Sequence, residues 1–152
     1  VIKIKQSKTA DTRTSNYKDV TKEKLIQSSI QHITDVAKGI KFFKDMLDTS
    51  ALNHDRDKLS NIDGFYKDFS CNFKTDEWLK NHYSSNRHHL NRENGVPIDV
   101  NLIDVIEMIV DCVMASIGRG GKKFPIDIDD KILKKAFENT VKILENNVEL
   151  VK

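Results

Sequence analysis

Cysteine is scarce in this chain: Cys71 and Cys112 are the only two among 152 residues. They stand far apart and match no metal or redox spacing. A disulfide scaffold is therefore excluded, and both read as free thiols of a reducing compartment. Proline is held to two residues and glycine to six, so little in the chain opposes helix. No sign of charge prevails: 25 basic and 23 acidic side chains leave a formal net charge of +2. That balance gives no electrostatic footprint for nucleic acid. No apolar run is long enough to span a bilayer. Residues 1–20 are polar and lack the apolar segment of a signal peptide. A soluble, cytoplasmic protein is expected. What is present, 38% apolar and 32% charged residues, suits one domain with a real core and a well-solvated surface.

Periodicity predicts an all-α fold: a short non-helical N-terminal arm over 1–20 and a single compact helical domain over 21–152. Val1 to Lys5 alternate apolar and basic, as a short extended segment would. Thr21 is placed to cap a long first helix, with Glu23 in its first turn. Apolar residues then recur at 26, 30, 33, 37 and 40, followed by Phe43 and Leu47, which is the helix period of a core element. His32 lies on or beside that stripe. A short loop is expected before Asn53-His54-Asp55-Arg56-Asp57-Lys58-Leu59. Further helices are expected from about 61 to Ser70 and from Thr75 to about Tyr83, before Asn86-Arg87-His88-His89-Leu90-Asn91. Gly95 and Pro97 mark a break. The next helix, about 99–117, is apolar on nearly every side and reads as a central, buried one. A last helix, about 129–148, has one apolar face and one of Lys, Glu and Asn.

The buried helix carries Asp104, Glu107 and Asp111 at spacings of three and four, hence on one face. A buried carboxylate must be paired, protonated or bound to a cation. Either this stripe meets Lys and Arg from a neighbour or solvent, or it lines a metal site or cleft. All five histidines, His32, His54, His82, His88 and His89, lie in the first 89 residues. A lone histidine on an apolar face is usually a core residue; five beside an acidic stripe favour a metal. Imidazole with carboxylate suits Mn, Fe, Co, Ni or Zn, with Mg as an alternative.

The order of these residues resembles the HD superfamily of metal-dependent phosphohydrolases, whose minimal pattern is H…HD…D. The matching positions are His32, His54-Asp55 and Asp111. His54 to Leu59 resembles that superfamily's HD-x-x-K stretch, and Ile109 to Ser116 the segment of its last aspartate. The whole chain is similar to a family of small bacteriophage- and prophage-encoded proteins. That impression comes from Thr9 to Thr14, Asn53-His54-Asp55 with Lys58-Leu59, Asn86 to Asn91, and Asp99 to Asp104. The resemblance implies a compact HD-like helical fold in the cytoplasm of an infected or lysogenic bacterium. It implies one or two divalent ions held by His32, His54, Asp55 and Asp111, with His82, His88 and His89 as additional ligands. The glycine-tyrosine-proline motif of the HD variants that cleave cyclic dinucleotides is absent.

The activity this implies is hydrolysis of a nucleotide or related phosphate ester by a metal-activated water. Asp55, Lys58 and Glu107 are the catalytic candidates, and Arg13, Lys58 and Arg87 those for binding substrate. Each retains a plainer reading. Lys58 could instead pair with Asp55 or Asp57. Glu107 could be a base, a ligand or the partner of a histidine N–H, and Asp104 has the same options. Asp11 to Thr14 could close over a cleft or remain a solvated arm, and Trp78 and Tyr83 could stack on a base or sit in the core. The alternative function is a non-catalytic HD-like protein that sequesters a nucleotide or a host protein. No membrane partner is expected, and an oligomer is compatible with all of this.

Overall fold

A computed structural model describes residues 1–5, 18, 20–92 and 95–151. The described residues are mostly helical: β1 (Ile2–Lys5), α1 (Lys22–Asn53), α2 (Asp57–Ser60), α3 (Ile62–Ser70), α4 (Glu77–Ser85), α5 (Leu102–Gly120), α6 (Asp130–Asn146) and β2 (Val148–Val151). The chain groups into two compact units: Val1–Met46 with Lys142–Lys152, and Leu47–Val141. The divisions fall within α1 and α6.

In the first unit, β1 and β2 pair in parallel with Ile2 against Val148 and Lys5 against Val151. The last helix ends at Asn146, close to the expected bound, and an unforeseen C-terminal strand follows, where Val-Glu-Leu-Val alternates with the strand period. Thr21 Oγ1 accepts from Lys24 N at 3.3 Å and opens α1 as expected. The Gln31 amide donates to Lys5 O at 2.7 Å and Lys38 Nζ to Lys3 O at 2.9 Å, tying α1 to β1. The apolar stripe of α1 is not core: Ser28 is the one buried α1 residue, while Ile30 and Ile33 are 61% and 66% exposed.

In the second unit, α1 runs on to Asn53 without the expected loop, since no Gly or Pro interrupts 47–53. Asn61 caps α3 by accepting from Gly64 N. At α4, Asp76 is left-handed and makes no side-chain cap. Buried Asp68 of α3 serves instead, accepting from Trp78 N at 2.7 Å, Leu79 N at 3.2 Å and the Thr75 hydroxyl. α5 begins with a reciprocal capping box in which Asn101 accepts from Ile103 N and Asp104 from Asn101 N, each at 2.9 Å. Leu102 N donates to Thr140 Oγ1 and the Asn139 amide to Val100 O, fixing α6 against that start. Leu90, Val100, Val105, Met108 and Ala136 form the buried cluster. Burial of α5 is limited to its first two turns; Val110 and Met114 are more than half exposed. The expected all-round burial therefore holds only where α6 and the 96–100 segment cover it.

Candidate metal centre

His54 and Asp55 follow directly on the end of α1. Asp55 takes φ 49°, the left-handed turn that breaks the helix, and sends the chain into α2. The dyad is thus carried on a helix end and not within a helix. His82 comes from the last turns of α4, stacked on Trp78 with centroids 4.7 Å apart. Trp78 is buried and also packs on Phe65, so it is a core residue. His88 and His89 lie in the turn after α4. Gly95 is required there: a Cβ would stand 2.4 Å from His89 O. Tyr83 meets the His89 ring edge-on at 4.8 Å and is covered by Arg92, so it braces that histidine. From α5 come Glu107 and, one turn on, Asp111.

These side chains converge as two groups able to hold a cation: His54, His88 and Asp111, and Asp55, His82 and His89. Asp55 also stands between the groups. Its Oδ2 is 3.5 Å from His54 Nε2, and its Oδ1 is 3.5 Å from His88 Nε2 and 3.6 Å from His82 Nε2. Asp111 is 3.6 Å from His54 Nε2 and 3.9 Å from His88 Nε2. His82 and His89 approach each other Nε2 to Nε2 at 2.8 Å. All four imidazoles thus turn Nε2 inward.

Three of the four outward nitrogens face carboxylates. His54 Nδ1 is hydrogen-bonded to Glu107 Oε1 at 3.0 Å, and His82 Nδ1 to Asp57 Oδ2 at 2.8 Å. His88 Nδ1 is 2.9 Å from the same Glu107 oxygen, close enough for an ion pair but too bent for a hydrogen bond. Ser50 donates to the other Glu107 oxygen, and the Asn86 amide to Asp57 Oδ1. A carboxylate on one ring nitrogen fixes the tautomer that leaves the other free for a metal. Two atoms fit that role on a further ground: Asp55 Oδ1 and His88 Nε2 are buried without a hydrogen-bond partner, a costly state that a cation between them would relieve.

Electrostatics follow this arrangement. Burial raises the Glu107 carboxyl, but the adjacent His88 imidazole and the hydrogen bonds from Ser50 and His54 outweigh it and bring it down to about 2. Burial raises Asp55 likewise, and Lys58 together with the charges of His54 and His82 holds it below its usual range. Burial, then His88 and His82, push His89 down to about 4, keeping it neutral as a ligand must be. Burial lowers His88, but Glu107, Asp55 and Asp111 overcome it and leave that imidazole above its ordinary value.

The other expected site residues fall as follows. Lys58 contacts Asp55 Oδ2. His32 is exposed on α1 in the first unit and belongs to neither group. Arg87 donates to both Asp104 oxygens at 2.8 and 2.9 Å, to Asp99 Oδ1 at 3.0 Å and to Asp99 O at 3.2 Å. Four of its N–H directions are thus taken, which opposes a phosphate-clamp role. Asp104 is committed to Arg87 and the cap of α5. Arg13, with the Asp11 to Thr14 run, lies outside the described residues. Sequence reasoning did not single out Ser50, Asp57 and Asn86 as site residues. The loop expected before Asn53 hid the signal for Ser50, which the unbroken α1 sets one turn before His54. No family model, curated protein or solved structure matches this chain.

Proposed function

We propose that this protein is a metal-dependent phosphohydrolase with two adjacent cation positions, acting on a nucleotide or related phosphate ester. The observation that carries the reading is the set of four inward Nε2 atoms, three of their rings backed by carboxylates, around a shared Asp55. His54, His88 and Asp111 would hold one ion, and His82 and His89 the other, with Asp55 common to both. This donor set of imidazole nitrogens and carboxylate oxygens suits Mn, Fe, Co, Ni or Zn.

When bound, such ions lower the pKa of water toward neutrality and neutralise charge on a phosphoryl group. The chain's own residues do the rest. Glu107 and Asp57 fix the imidazoles, so the site is rigid before substrate arrives. Lys58 pairs with the Asp55 carboxylate and would be the cationic side chain placed to neutralise a phosphoryl oxygen. A cavity of about 500 Å³ lined by Asn91, Cys112, Ser116, Arg119 and Phe124 gives room for the organic part of an ester.

Purified protein should retain a divalent metal by elemental analysis and release phosphate from a nucleotide panel with added Mn or Co. Asp55→Ala should abolish that release, and full activity in that variant would sink the mechanism. Metal binding without turnover on any phosphate ester would favour the sequestering alternative.

A further inference from the structure

The apolar stripe of α1 faces away from the unit that holds it. Ser28 is buried and Gln31, Asp35, Gly39 and Phe42 are half-buried, a mostly small or polar face. The β1–β2 sheet and the end of α6 supply its contacts: Gln31 bonds Lys5 O, and Gly39 approaches Leu144. On the other side Ile26, Ile30, Ile33 and Ile40 are 49, 61, 66 and 65% exposed. An amphipathic helix that buries its polar face and exposes four isoleucines has no partner for that stripe among the described residues.

The spacing says what kind. Ile26, Ile30, Ile33, Ala37, Ile40 and Lys44 alternate by four and three, the a/d repeat of a coiled coil. Such a repeat closes only against another helix of the same period, over about 27 Å at 1.5 Å per residue. A second copy of this chain supplies that helix. We infer that two copies pair antiparallel through the α1 stripe. The charges set the direction. Parallel pairing in register would place Lys44 against Lys44 in the seam, where like charges repel. Antiparallel pairing centred between Ile33 and Ala37 places Ile30 against Ile40 of the second copy. Lys44 then lies beside Ile26 of that copy, one turn from its Glu23. None of these residues belongs to the metal groups, so this inference stands or falls apart from the proposed function.

Light scattering after gel filtration of the full chain tests it. The wild type should run at twice 17.5 kDa. Ile30→Glu with Ile33→Glu should run as a monomer with unchanged far-ultraviolet circular dichroism, because both positions are already solvent-facing. Glu23→Lys and Lys44→Glu should each weaken the dimer in sedimentation equilibrium, and the double exchange should restore it. A monomeric wild type overturns the inference, as does a dimer that survives the isoleucine substitutions. Equal dissociation constants across the charge variants overturn the antiparallel direction.

Discussion

Glu107→Gln is the most informative single change. The side chain keeps its size and loses its charge. One carboxylate oxygen faces two imidazoles, His54 Nδ1 at 3.0 Å and His88 Nδ1 at 2.9 Å, while the other takes the Ser50 hydroxyl. Removing an outer partner of a metal-binding histidine costs roughly 10- to 100-fold in metal affinity. Because one carboxylate backs two ligands of the same group, the loss should reach the upper end, about 100-fold or about 2.8 kcal/mol. Asp57→Asn is the internal comparison: it backs His82 alone, in the other group, and should cost about 10-fold. Competition against a chromophoric chelator would read both. An affinity for Glu107→Gln equal to wild type would refute the assignment of Glu107 as the support of both imidazoles. A greater loss in Asp57→Asn would refute the counting of ligands per carboxylate.

Without metal, stability should peak near pH 6.5. His89 is lowered from 6.5 to about 4, so its contribution is complete above 6.5 and is lost as pH falls toward 4. Glu107, lowered from 4.5 to about 2, adds a second loss below 4.5. His88 is raised, so its contribution is full below 6.5 and is lost as pH rises through its folded value. Thermal melts across pH with a chelator present would show this, and a monotonic profile would contradict it. Arg87→Met should destabilise by about 2 kcal/mol, below the value for a fully buried pair because the guanidinium is half-exposed. At roughly 2–4 °C per kcal/mol that lowers the melting midpoint by about 4–8 °C; an unchanged midpoint with weakened phosphate binding would return Arg87 to the substrate. Asp68→Ala should lower the midpoint by several degrees and weaken metal binding together, since Asp68 caps the helix that carries His82. Calorimetry paired with metal titration would separate the two effects.

Much of the helical pattern was legible because it is local: Thr21 and the break at Gly95 act within a few residues of themselves. The convergence of His54, Asp55, His82, His88, His89 and Asp111 was legible from their types and order. The roles of the three acidic residues on α5 were not. Asp104 is one turn from Glu107 and shares its face, yet Asn101-x-x-Asp104 is a capping box, and Arg87 completes it. Asp57 and Asn86 act across 25 or more residues, where no local spacing signals them. His32 was placed by its distance from apolar neighbours, and that argument assumed the α1 stripe was core. The helix period identifies a stripe; it does not say which surface covers it.

Position 55 carries two demands at once. Its left-handed backbone, φ 49°, is adopted by asparagine and aspartate with similar ease. A protein that needed only the turn could hold asparagine there, free of a buried charge that must be balanced by Lys58. Such a chain would keep its architecture while shedding its chemistry. The anionic choice at a bend indifferent to it is thus a stability concession, and under the proposed function the concession would be the charge that a bound cation needs.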